Sequence, residues 1–219
     1  MTAASLRRVT RALLACGIVG PPLFIATFLV EGATRPGYSA WRHFVSQLAT
    51  GDGGWVQVVN FLVLGTLSLA FAIGLARMRI TSVAIVLGVF ALGILSAGIF
   101  VTDPALGYPP GADQTRTTHG TIHGVAGLVS FTSNAIACFV AAWHFRGDPA
   151  WRGFVRYSVI TGILVLALFV ASTAVSVADE LGAMPNGPTG LIQRLSIVIG
   201  FGWIALLAYR LRRQTPAGP

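Results

Sequence analysis

The run TSVAIVLGVFALGILSAGIF, residues 81–100, contains no charged side chain. As an α-helix rising about 1.5 Å per residue it is about 30 Å long, the thickness of a bilayer's hydrocarbon core. A helix pairs nearly all its backbone N–H and C=O groups within itself, which hydrocarbon demands of any segment that crosses it. Five further apolar runs lie on either side of this one. Together they predict spans at roughly 12–31, 55–76, 81–101, 119–144, 154–177 and 190–210. Gly-Pro-Pro at 20–22 interrupts the first run and predicts a kink there. The spans leave no room for a separate soluble domain. The expectation is all-α: one integral membrane domain over residues 1–219, a polytopic helical bundle of six transmembrane helices.

Composition agrees with lipid as the solvent. Of 219 residues, 54% are hydrophobic and 10% are charged, against about 25% charged in soluble domains. The formal charge of +8 does not point to nucleic acid, because the basic residues cluster at span ends rather than along a stripe. Arg7, Arg8 and Arg11 precede the first run as in a signal peptide. That run is longer than a secretory h-region and no small-x-small cleavage site follows closely, so a retained first helix is expected. Cys16 and Cys138 lie inside apolar runs and read as buried, inert thiols.

The arginines set an orientation. Eleven of the fifteen fall on the side of the termini and the even-numbered loops; only Arg35, Arg42, Arg116 and Arg194 fall on the other side. By the positive-inside rule both termini are cytoplasmic, in the cell (inner or plasma) membrane. The remaining loops then face outward. They carry Glu31, Asp52, Asp103, Asp113, Asp179 and Glu180, and three of the four histidines. Function is expected among those loops. In the first of them, Trp41, Phe44, Val45 and Leu48 recur at helical spacing behind Ser39, a plausible N-cap. Residues 39–49 are therefore expected to form a short amphipathic helix at the outer interface. The second loop, 102–118, is long for a helical hairpin, and packing across the bundle mouth would account for its Tyr108.

A set of short motifs runs through the chain in order. Gly-Pro-Pro (20–22) is followed by Pro-Gly-Tyr (36–38), Ser46-Gln47-Leu48 and Gly54-Trp55. Then come Gly98-Ile99-Phe100, Asp103-Pro104, Tyr-Pro-Pro (108–110), His119-Gly120-x-x-His123 and Gly190-Leu191-x-Gln193-Arg194. In this combination the chain resembles the bacterial domain-of-unknown-function 998 family (DUF998) of small multi-pass membrane proteins. The resemblance covers nearly the whole chain and implies a membrane helical bundle. It implies no activity.

Chemistry is sought in the outward residues. His119 and His123 stand four apart and share a helix face, the spacing by which two imidazoles hold one metal. His43 and Asp103 are expected at the same membrane depth and would complete a three-His, one-carboxylate set suited to zinc. On this reading His119, His123 and His43 ligate, Asp103 orients or deprotonates a water, and Ser46 binds substrate or orients the water. A looser similarity links these residues to the ceramidase and adiponectin-receptor superfamily of membrane zinc hydrolases, although that superfamily has seven helices and carries its H-x-x-x-H in the last. The bland alternative leaves the histidines as interfacial side chains bonded to loop carbonyls. Gln193 and Arg194 open the last span; Arg194 either snorkels to lipid phosphates or clamps an anionic head group, with Asp179, Glu180 and Asp103 as potential partners. Gly120 and Gly124 form a G-x-x-x-G, expected to draw a neighbouring helix close. Two functions follow: a zinc-dependent hydrolase of a lipid-like substrate in an extracytoplasmic polar pocket, or a non-catalytic protein binding lipid or a partner. Transport fits less well, because the ionisable groups lie at helix ends rather than at the midplane.

Overall fold

The computed structural model describes residues 3–215. Six α-helices carry the architecture: α1 (Ala3–Thr34), α2 (Trp55–Arg77), α3 (Thr81–Ile99), α4 (Thr118–Phe145), α5 (Arg152–Glu180) and α6 (Thr189–Gln214). All six are long and apolar enough to cross a membrane. The chain is thus a multi-pass, all-helical protein, and an even number of crossings brings both ends of the chain to one end of the bundle, the terminal end. The opposite, distal end carries the long loops. α1 continues through Pro21 and Pro22 as one helix.

Each helix packs on its chain neighbours, and α6 closes back on α1, so the six form a ring in sequence order. Aromatic side chains fill its middle. Phe24 of α1 meets Phe61 of α2 and Phe201 of α6 at centroid separations of 5.3 and 5.6 Å, and Phe90 of α3 meets Phe201 at 5.3 Å. The outer surface is as apolar as the interior: Ile85 and Leu92 on α3 are 62% and 58% exposed. A surface of that kind is matched to lipid tails rather than water.

Glycines and small polar side chains set the helix contacts, as is usual where lipid competes for apolar surface. A Cβ on Gly93 would lie 2.4 Å from Ser130 Oγ and 3.1 Å from the Ala126 carbonyl, so α3 and α4 touch there through backbone. Asn60 Nδ2 donates to the Phe24 carbonyl at 3.1 Å and Asn134 Nδ2 to the Gly200 carbonyl at 3.4 Å, the interhelical bonds expected of polar residues within spans. Trp203 Nε1 donates to Ser158 Oγ at 2.8 Å.

The distal mouth is plugged. The segment 39–49 forms only a five-residue 3-10 helix, Val45–Ala49, and it does not float at the interface. Val45, Gln47 and Leu48 are buried to 1% exposure or less. The reason lies in its polar residues, which bond inward to other elements and draw the segment into the ring. Tyr108 of the second loop is buried as well, edge-on to Tyr38 at 5.2 Å and tilted against His43 at 5.1 Å.

Candidate functional site

Each residue singled out in the sequence can now be placed. His43 belongs to the plug and is 5% exposed. Its Nδ1 accepts the Ser39 N–H at 2.9 Å, so Nε2 carries the proton and donates to the Leu106 carbonyl at 3.2 Å. Both ring nitrogens are committed to backbone, and in this arrangement neither offers a lone pair to a metal. Burial lowers the His43 pKa and holds the ring neutral.

Asp103 is a cap. Its carboxylate accepts the Thr117 N–H at 2.8 Å and the Thr117 hydroxyl at 2.6 Å, and Thr117 Oγ1 in turn caps α4 by accepting from Gly120 N at 3.0 Å. Gly120 exists for this contact, since a Cβ there would fall 2.0 Å from the Asp103 carboxylate. His119 lies edge-on to Phe100 at 5.3 Å on the exposed side of the same turn. Among the described residues no group of three or more His, Cys, Asp or Glu side chains is disposed to hold a metal ion. His43 lies in the plug, bonded to the second loop, whereas Asp103 caps the turn of α4 that carries His119. His119 and His123 both lean on Phe100 at the end of α3, and among the described residues no third side chain joins them in a group disposed to hold a metal.

Arg194 turns inward. Nη1 donates to the carbonyls of Ala40, His43 and Gly190 at 2.8, 3.0 and 2.9 Å, and Nη2 donates to the Tyr38 hydroxyl. Tyr38 passes the link on, donating to the Phe44 carbonyl at 3.0 Å, and burial pushes its hydroxyl pKa up to about 12. The guanidinium thus staples the plug to α6. Two other arginines do similar work. Arg42 makes a two-pronged pair with Asp179 of α5, both contacts at 2.8 Å. Arg35 pairs with Glu31 at 2.5 Å and donates to the Leu48 and Gly53 carbonyls. Arg42 and Arg35 thus pair with carboxylates, whereas the partners of Arg194 are mainly backbone carbonyls, which leave no pattern in the sequence.

Three of the singled-out residues do come together. Ser46, His123 and Gln193 line a cavity of about 60 Å³ at the centre of the ring, together with Ser130 and apolar side chains such as Phe24, Phe61 and Phe201. The same three residues line a wider cleft of about 800 Å³ between the distal halves of α4 and α5. Phe131 and Phe169, stacked at 4.8 Å, form its floor. Its lips are Leu128 and Val170, 50% and 63% exposed. The inner cavity thus shares walls with a slot that opens sideways, toward the lipid-facing surface. Two glycines make the slot: a Cβ on Gly124 or Gly127 would meet nothing within 4 Å. Here the G-x-x-x-G expectation needs correction, because Gly124 borders open space and not a neighbouring helix. The signal for this in the sequence was the run Gly120, Gly124, Gly127, which close packing and an empty slot would write alike.

The polar atoms at the inner end are arranged in a definite way. His123 is 8% exposed, and its Nδ1 lies 3.0 and 2.9 Å from the carbonyls of Ala97 and Phe100 at the end of α3. Carbonyls only accept, so Nδ1 carries the proton and Nε2 keeps its lone pair. Gln193 Oε1 accepts the Val45 N–H at 2.7 Å, which leaves its NH₂ group as the free end. Ser46, in the 3-10 helix, lines the same cavity and is half-buried. No charged residue lines the inner cavity. Beyond the cleft, through Thr102 and Gly124, a polar cleft of about 720 Å³ lies against Arg116, Glu180 and the Arg42–Asp179 pair.

Comparison with known proteins adds the family. No curated protein and no solved structure matches the chain. The family model described as "Protein of unknown function (DUF998)" matches residues 18–210, which reaches from the second half of α1 into α6 and takes in the plug and the slot. The chain belongs to the DUF998 family of proteins of unknown function.

Proposed function

We propose that this protein binds a single-chain, lipid-like molecule that enters sideways from the membrane between α4 and α5. The observation that carries the proposal is the glycine-lined slot. It opens sideways on the apolar flank of the bundle, borders the polar distal cleft only at Thr102 and Gly124, and ends on Ser46, His123 and Gln193. A chain fills the apolar slot and an uncharged polar group reaches the inner end. A charged head group does not, because the inner cavity holds no counter-charge and burying an unpaired charge there is costly. Ser46 and Gln193 supply donors and His123 Nε2 an acceptor, the set that an ester, a hydroxyl or a protonated carboxyl satisfies. In the proposed orientation, with the termini cytoplasmic, the slot faces the outer leaflet.

Native mass spectrometry of the purified protein with 1-palmitoylglycerol tests this. One molecule per chain is expected. Gly127→Leu, which places its side chain in open space, is expected to reduce occupancy about tenfold or more while the protein melts no lower. Equal occupancy in wild type and Gly127→Leu would remove the slot as the binding site.

A further inference from the structure

We infer that the inner end of the slot is an acyl-transfer centre, in which Ser46 is the nucleophile, His123 its base and Gln193 the oxyanion donor, and that it cleaves carboxylic esters of single-chain amphiphiles. The inference rests on the binding reading above and adds chemistry to it.

Three observations carry it. The first is the state of His123. A serine hydroxyl becomes a nucleophile when a neighbouring neutral imidazole takes its proton, and the imidazole is held by a third group on its far nitrogen. Here two carbonyls do the holding, those of Ala97 and Phe100 at 3.0 and 2.9 Å from Nδ1. They belong to the C-terminal end of α3, where unpaired carbonyls concentrate negative charge. That end of a helix favours the imidazolium that forms when Nε2 accepts a proton, as a triad carboxylate does. The second is the condition of Ser46. Its hydroxyl has no hydrogen-bond partner among the described residues, although it lines the cavity beside His123 and Gln193. The third is Gln193. Its carbonyl end is spent on Val45 N, the residue before Ser46, which fixes the amide so that its N–H groups are the end left to the cavity. Base, nucleophile and anion donor line one small space, and that space is uncharged and apolar, where such donors act most strongly.

The step balances as follows. Ser46 Oγ adds to the ester carbonyl carbon while its proton passes to His123 Nε2. The oxyanion that forms is held by Gln193 N–H. Collapse breaks the carbon–alkoxy bond, and the alcohol leaves with the proton from His123, giving acyl-Ser46. Water then adds to the acyl carbon, His123 takes its proton, and the acid departs as Ser46 Oγ regains a proton. The polar cleft that meets the slot at Thr102 and Gly124 is the path for that water.

The test uses the whole protein in maltoside detergent and an alkyl fluorophosphonate with a chain of about twelve carbons, the length that would lie along a bilayer leaflet. Ser46 Oγ displaces fluoride and keeps the phosphonyl group, so one adduct on the Ser46 peptide is expected. Ser46→Ala, a change at a half-buried, unbonded side chain, is expected to abolish the adduct. Gly127→Leu is expected to suppress it by closing the slot. Gln193→Ala is expected to slow release of 4-nitrophenol from 4-nitrophenyl decanoate by roughly 100-fold, and His123→Gln by roughly 100-fold or more. A wild-type protein that binds 1-palmitoylglycerol in the slot yet gains no adduct at Ser46 overturns the acyl-transfer reading and leaves the binding reading standing. An adduct on another residue, or one that Ser46→Ala retains, overturns it too. Loss of binding itself would show instead as equal occupancy in wild type and Gly127→Leu.

Discussion

Arg194 and His43 show how a polar side chain comes to be buried near the end of a membrane bundle. The cost of removing a guanidinium from water is offset by fixed donors meeting fixed carbonyls, here four contacts converging on one side chain. Arg194→Leu is expected to take from the Ala40 and His43 carbonyls the donor they share, leaving His43 only the longer Tyr38 hydroxyl contact, and to destabilise the protein by about 2–4 kcal/mol. Thermal melting in neutral and in anionic lipid checks this, and the loss should be equal in both, since the partners are protein groups. His43 makes the complementary case. Its folded-state pKa is lowered by burial, so the unfolded chain binds the extra proton first as pH falls. Stability from this residue is complete above an unfolded-state pKa of about 6.5 and is lost as pH drops below that value, levelling off beneath the lowered folded pKa. Melting temperature should therefore fall between about pH 7.5 and 5, and His43→Gln should flatten that slope. Residue types were legible at this scale; their partners were not, because carbonyls of loop backbone carry no sequence signature.

At the scale of elements, the helices divide their glycines between contact and vacancy. Gly93 and Gly200 lie against Ser130 and Asn134, whereas Gly124 and Gly127 face nothing. Substitution separates the two kinds. Gly93→Ala is expected to cost about 1–3 kcal/mol, because its Cβ meets the Ala126 backbone, which cannot step aside. Gly124→Ala is expected to be neutral or to gain up to about 1 kcal/mol from helix propensity. Denaturation of the two variants in detergent decides the matter, and equal losses would mean that the slot collapses in solution. The plug shows the same limit from another side. Trp41, Phe44, Val45 and Leu48 do recur at helical spacing, but the segment is buried by its tethers, Gln47 to the Ala105 carbonyl and Val45 N to Gln193 among them. A periodicity says which residues share a face and says nothing about how deeply that face is pulled in.

The whole molecule is a ring of helices sealed at its distal mouth and slotted on one flank. The orientation proposed for it has a direct check. A reporter fused after Pro219 that works only in the cytoplasm is expected to be active, and one that works only outside is expected to be silent. The six spans were legible because the bilayer imposes one length and one composition on every crossing, and the 81–100 run satisfies both without any knowledge of its neighbours. The even number of crossings, with both termini at one end, follows from the same count. Tertiary structure alone decided which polar residues meet. His119 and His123 share a helix, yet one packs on Phe100 at the surface and the other is buried, bonded to the end of α3 and lining the inner cavity. Ser46, His123 and Gln193 come from the plug, α4 and α6, and no spacing links them in the chain. Hydrophobicity is a property of a segment and can be read locally. A site is a property of several segments at once, and it is settled by the backbone contacts that hold them together.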